Sequence, residues 1–188
     1  MGNFYTNYTL KGPSQQAVAA AFAGRSAIIT PVRDGCVVVF DEASDAQDSA
    51  VITELALQLS REFRCPVLAV LNHDDDILWY QLFLSGDLAD EYDSSPGYFD
   101  PSAEPSAPAG GSSERLCRAF GSEEQDAVEA VLRKSSYDDD GYVFAFERHA
   151  DLVRILGIPE WSVGTAYASF ERDELPEGLS AGTILRTT

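Results

Sequence analysis

The segment ILWYQLFL, residues 77–84, is apolar on both sides of the alternation that a strand imposes. Ile77, Trp79, Gln81 and Phe83 fall on one side, and Leu78, Tyr80, Leu82 and Leu84 on the other. CVVVF at 36–40 and CPVLAVL at 65–71 have the same two-sided character. A sheet with one face in water alternates polar and apolar residues, so these strands need cover on both faces. That requirement predicts a layered α+β chain.

The order of elements predicts a more specific frame. NFYTNYTL (3–10) alternates as a strand, with Phe4, Thr6, Tyr8 and Leu10 on one side. In GPSQQAVAAAFAGR (12–25), Pro13 opens a short helix and Gly24 stops it. AIITPV and CVVVF flank Asp34–Gly35, a hairpin turn signal. Ser44 and Gln47 have the spacing of a capping box, opening a helix that carries Ile52, Leu55, Leu59 and Phe63 on one face. The strand 65–71 follows, with Pro66 at its first position, where a missing N–H is tolerated. Strand, helix, two strands, helix and strand make the ferredoxin-like split motif. ILWYQLFL and LADEY then form an added hairpin around Ser85, Gly86 and Asp87.

DPSAEPSAPAGGSS, residues 100–113, is a Pro-, Ala-, Ser- and Gly-rich loop. Helices are expected over SERLCRAF, over SEEQDAVEAVLRKSS with a second capping box at Ser122 and Gln125, and over about 145–156, ended by Gly157. WSVGTAYASFE (161–171) reads as a final strand. The two early helices cover one sheet face, leaving the other to the C-terminal helices or a second subunit. One domain is expected, with residues 1–99 as core plus hairpin, 100–113 as loop, and 114–188 as helical extension and last strand.

Composition restricts partners. The net charge is −18, from 31 acids against 13 bases in 188 residues. Such a surface repels phosphate backbones and anionic lipids and suits cations and basic proteins. No nucleic acid or membrane partner is expected, and no apolar run approaches the roughly 20 residues that span a bilayer. Cys36, Cys65 and Cys117 are odd in number and widely spaced, as expected of reduced thiols in a cytoplasm. MGNFYTNYTL has neither a basic start nor an apolar h-region, so no secretory signal is expected. MGNFYT fits the myristoylation template and NYT at Asn7 a glycosylation acceptor; each matters only in a eukaryote, and the second only in a secreted chain.

Two segments could carry chemistry. SYDDDGYVFAFE (136–147) places Asp138 and Asp140 on the third and fifth positions of a calcium loop, Gly141 on the sixth and Glu147 on the twelfth. Locally it resembles an EF-hand of the calmodulin type, which implies Asp138, Asp140 and Glu147 as ligands. Ser136 replaces the first carboxylate, Ser135 stands where an aromatic packs, and NHDDDILW offers no second loop. The alternative is an acidic turn between helices. DEYDSSPGYFD (90–100) sets two Tyr, one Phe and four acids around a turn. Tyr92, Asp93, Tyr98 and Phe99 there suit a cationic or basic partner. The alternative is a packed turn in which Tyr98 and Phe99 plug the core edge.

ILWYQLFLSGDLADEYDSSPGYFD (77–100) and RHADLVRILGIPEWSVGTAY (148–167) also resemble an uncharacterised bacterial family, over most of the chain. That family has no assigned activity, so the resemblance implies a bacterial cytoplasmic origin and assigns no residue a role.

Enzyme signatures are absent: there is no G-x-G-x-x-G, Walker loop, G-x-S-x-G or H-E-x-x-H. His73 and His149 are the two histidines, and Cys65 and His73 stand at opposite ends of one expected strand, roughly 20 Å apart. With two His and three Cys scattered, no zinc site or cofactor is expected. The reading is a non-enzymatic interaction protein, of immunity or regulatory type, for a basic protein. The alternatives are a weak calcium-responsive protein using 136–147, and an enzyme with an unrecognised site.

Overall fold

Asp34 and Gly35 take positive φ angles of 51° and 75° and join two antiparallel strands. Ser85 and Gly86, at 52° and 92°, join another pair the same way. Both dipeptides were legible as turns, because Gly accepts φ > 0 at little steric cost. The computed structural model describes residues 2–100, 102–104, 106–136 and 138–188.

In chain order the elements are β1 (Tyr5–Lys11), α1 (Gln15–Ala21), β2 (Ala27–Ile29), β3 (Cys36–Asp41), a 3-10 helix (Glu42–Ala46), α2 (Ser49–Phe63) and β4 (Pro66–His73). The hairpin strands β5 (Ile77–Leu84) and β6 (Asp87–Asp93) follow, then the two-residue β7 (Ala109–Gly110) within the Pro- and Gly-rich loop. α3 (Ser113–Phe120), α4 (Gln125–Arg133), α5 (Ala145–Leu156), a 3-10 turn (Glu160–Ser162), α6 (Tyr167–Glu171) and β8 (Leu185–Thr187) complete the chain.

The fold is α+β. Eight strands form one sheet in the order β7-β6-β5-β4-β1-β3-β2-β8, and each described pairing is antiparallel. No helix among the described residues is long and apolar enough to cross a membrane.

Both faces of the sheet are covered. Tyr8, Leu10, Val37, Val67, Ala69 and Phe83 pack beneath Val18 and Phe22 of α1 and Ile52, Leu55 and Leu59 of α2. On the opposite face, Leu68, Val70, Leu78, Tyr80 and Leu82 meet α3, α4 and α5 through Leu116, Leu132, Leu152 and Leu156. At the β2 end, Ile28, Val38 and Phe40 are closed off by Trp161, Phe170 and Ile184. Tyr80 is buried and Trp79 half-buried, although they point to opposite faces. The C-terminal segment therefore supplies the second cover from within the chain.

Three sequence expectations need correction. Residues 161–171 are not a strand: they run from the end of the 3-10 turn through a short irregular connection into α6, because Trp161 and Phe170 both pack with Phe40 and its neighbours. The last strand is instead β8, which hydrogen-bonds to β2. α2 starts at Ser49, not after Ser44. Gln47 sits in the left-handed region and breaks the chain there, and the Asp48 carboxylate caps the helix by accepting from the Ala50 N–H at 2.9 Å. α4 likewise starts at Gln125, with Glu124 rather than Ser122 at its cap position.

Ser44 has another task. The buried Asp41 carboxylate accepts from the Ser44 N–H (3.0 Å) and Oγ (2.6 Å) and is paired with Arg25. Tyr8 joins through its hydroxyl, 2.6 Å from Ser44 Oγ. This network anchors the 3-10 helix that carries Asp45 and leads into Gln47.

Candidate functional site

A cleft of about 640 Å³ opens where β4 ends and β5 begins. Leu71, Ile77 and Trp79 come from the sheet, and Phe4 from the residue before β1. Asp45, Gln47 and Ser49 come from the segment entering α2, and Asp93 and Phe99 from the end of β6 and the loop after it. Loops at strand ends form such a site because the sheet edge exposes side chains that neither helical layer covers.

His73 is half-buried in the cleft wall among aromatic edges. Its ring centroid lies 4.8 Å from that of Phe4 and 5.1 Å from that of Phe99, both edge-on, and 6.2 Å from that of Tyr98. Gln47 fixes its tautomer. The Gln47 amide donates through Nε2 to the Asn72 carbonyl at 2.8 Å, so Oε1 is the atom 2.7 Å from His73 Nδ1. An oxygen can only accept, so Nδ1 carries a proton and the ring is held by it.

Two carboxylates complete the cleft. Burial, with Glu91 nearby, raises Asp93 above the usual carboxylate range against the pull of the Ser95 N–H, 2.8 Å away. Burial also raises Asp45, with Asp41 and Glu171 adding to the effect. Asp45 accepts from the Ala168 and Tyr167 amides at 2.9 and 3.2 Å, which tie α6 to the cleft floor. Among the described residues no ion pair reaches either carboxylate. The cleft thus combines aromatic faces, an oriented imidazole and two under-compensated acids, which suits a cationic group.

Of the residues singled out in DEYDSSPGYFD, Asp93 and Phe99 line the cleft, and Tyr98 stands against Phe99 with ring centroids 5.2 Å apart. Phe99 is 71% exposed and Tyr98 42%, so neither plugs the core. Tyr92 does not belong with them. It is 0% exposed, stacks on Tyr80 at 5.2 Å and donates to the Leu132 carbonyl at 3.0 Å. Neighbouring residues in a strand point to opposite faces, so Tyr92 is directed under α4 while Asp93 faces the cleft.

The calcium-like loop is held by its own side chains. Asp138 accepts from the Ser135 N–H at 2.8 Å, and Asp140 pairs with Lys134 at 3.0 Å. Glu147 sits at the third position of α5 and accepts from the Phe144 N–H at 3.0 Å, a helix-capping role. A side chain at Gly141 would place its Cβ 2.3 Å from the Ser135 carbonyl oxygen, so close backbone approach accounts for that glycine. No group of three or more His, Cys, Asp or Glu able to hold a metal ion occurs among the described residues.

Thiol chemistry finds no support. All three cysteines are buried, and burial raises each thiol, Cys65 to about 11. His149 is wholly buried and pushed down to about 3 by desolvation. Sequence reasoning missed Asp45, Gln47, His73 and Phe4 as a set. The available signal was a histidine at the end of a strand, next to an acidic turn. Comparison of the chain with protein-family models, curated proteins and solved structures returned no match.

Proposed function

We propose that this protein is a cytoplasmic binding module of regulatory or immunity type, and that its cleft takes a cationic side chain from a basic protein partner. The carrying observation is the pair of raised carboxylates, Asp45 and Asp93, set beside Phe99, Trp79 and the Gln47-held His73. A buried acid without a cation is under-compensated, and a guanidinium or ammonium entering the cleft relieves it. Aromatic faces add roughly 0.5–2 kcal/mol to the attraction for such a group. The charge of −18 adds long-range attraction for a basic protein. The same charge opposes nucleic acid and anionic membranes.

The framework fits a ferredoxin-like unit carrying additions. In favour of this reading, β4-β1-β3-β2 run antiparallel in that order, and α1 and α2, which follow β1 and β3, share one face.

The test is a titration with a blocked single-arginine peptide and its citrulline isostere, followed by Trp79 fluorescence and calorimetry between pH 4 and 8. Arginine binding should strengthen as pH rises through the elevated carboxylate range, release protons, and weaken with salt. Asp93→Asn should weaken it about tenfold, a loss of about 1.4 kcal/mol. Equal affinity for the citrulline peptide would refute the proposal.

A further inference from the structure

We infer that the binding surface continues past the cleft, over a ridge made by Tyr98 and Phe99, into a second pocket, and that it fits an extended basic segment of the partner carrying two cationic side chains. This rests on the cleft reading above and extends it.

The second pocket, about 240 Å³, lies between Asp75, Asp76, Ser94 and Ser95 on one side and Ser136 and Val143 on the other. Tyr98 lines this pocket and Phe99 lines the cleft, with the two rings perpendicular and their centroids 5.2 Å apart. The ridge is therefore two rings thick. It is braced from below, because the Tyr98 hydroxyl donates to Asp76 Oδ2 at 2.8 Å. The far wall is also anchored, by the Ala145 N–H donating to the Asp75 carbonyl at 2.5 Å. The two segments singled out in the sequence, 90–100 and 136–147, thus meet at one pocket.

Exposed apolar groups concentrate here. Of the eight large hydrophobic residues exposed among the described residues, Tyr98, Phe99 and Val143 border the two chambers. Phe4 lines the cleft as well, and Phe144 adjoins Val143 in the chain. Scattered exposed apolar residues are ordinary, but a contiguous set with a polar rim marks a docking surface. The surroundings are acidic: Asp75 and Asp76 line the pocket, and the exposed Asp74 and Asp138, Asp139 and Asp140 lie within a few residues in the chain of its lining residues. Lys134, the base among them, is already paired with Asp140. This charge selects the occupant. A second copy of the chain would bring −18 against −18, and a polynucleotide would meet carboxylates. A basic polypeptide is complementary, and an extended one repeats its side chains on one side about every 7 Å, a step able to straddle a two-ring ridge.

The experiment uses the full-length protein and blocked synthetic peptides with one arginine, or with two arginines separated by one or by three glycine or serine residues. Binding is read by fluorescence anisotropy at low salt. One of the two-arginine spacings should bind about tenfold tighter than the single-arginine peptide. Asp76→Asn with Val143→Ser should remove that gain and leave single-arginine binding unchanged. The amide introduced at position 76 still offers an oxygen to the Tyr98 hydroxyl, so the ridge persists. A gain no larger than the about twofold statistical factor of a second arginine, or a gain that survives the paired substitution, would overturn the inference while leaving the cleft proposal standing. Failure of the single-arginine peptide itself would remove both.

Discussion

The Tyr5 hydroxyl lies 2.9 Å from Nδ1 of His149, joining the first strand to the longest C-terminal helix through a wholly buried contact. The rings also stack, with centroids 5.7 Å apart. Desolvation keeps His149 neutral by lowering it to about 3. The sign of the pH effect follows. Above about 6.5 the histidine is neutral in both folded and unfolded chains, so it adds no pH dependence. Between about 6.5 and 3 the unfolded chain binds a proton that the folded chain refuses, and stability falls as pH falls, by up to about 1.4 kcal/mol per unit. His149→Gln keeps an acceptor for Tyr5 and cannot titrate. Urea unfolding of the variant should therefore show a shallower acid slope than the parent; parallel slopes would exclude His149 as the source.

Asp93 acts with the opposite sign. Its folded form is raised, so the stability it contributes is present at low pH and lost as pH rises through that elevated range. Asp93→Asn keeps an oxygen for the Ser95 N–H and removes the desolvated charge. The variant should be more stable than the parent at pH 7 and equal to it at acid pH, where the carboxyl is protonated in both states. The same change should weaken arginine binding. Higher stability with lost binding is the pattern expected when a functional site carries strain. A variant less stable at pH 7 would argue for a structural role instead.

Arg148 is buried and donates to the carbonyls of Val131 and Lys134, each at 2.6 Å, while its guanidinium lies 4.6 Å from the Tyr142 ring centroid. It satisfies the last carbonyls of α4 and ties the 134–144 loop to α5. Arg148→Met should cost about 2 kcal/mol and speed amide exchange across residues 134–144. Unchanged exchange there would show that the loop is held by other contacts.

The conformation of Gly110 is dictated by a neighbouring strand. A Cβ there would meet the Glu91 carbonyl oxygen at 2.1 Å, and its φ of 71° is left-handed. Gly110→Ala should cost at least about 2 kcal/mol and detach β7 from β6, seen as loss of protection at the Gly111 amide, which donates to Glu91 at 2.7 Å. Retained protection with wild-type stability would contradict this.

For the 136–147 loop the expected outcome is no change in melting midpoint on adding micromolar calcium, because Asp138, Asp140 and Glu147 are engaged with Ser135, Lys134 and Phe144. Glu147→Ala should still cost roughly 0.5–1 kcal/mol through loss of the helix cap, while Glu147→Gln should be near neutral. A calcium-dependent rise in the midpoint would assign the loop to metal binding after all.

The periodicity of the chain determined most of the frame. Two-sided apolar strands such as 77–84 required two helical layers, Asp34–Gly35 and Ser85–Gly86 marked their hairpins, and Gly157 marked the end of α5. Strand parity could also have separated Tyr92 from Asp93, since adjacent residues cannot face the same cleft. The assembly of Phe4, Asp45, His73 and Phe99 was decided by tertiary structure, because these residues come from four segments that converge only after β4, β1 and β5 pair. The helical state of 167–171 was decided in the same way. Its alternation suited a strand, but the amides of α6 found the Asp45 carboxylate and Phe170 found Phe40. Local sequence sets which residues seek burial, whereas which surface receives them depends on contacts more than a hundred residues away in the chain.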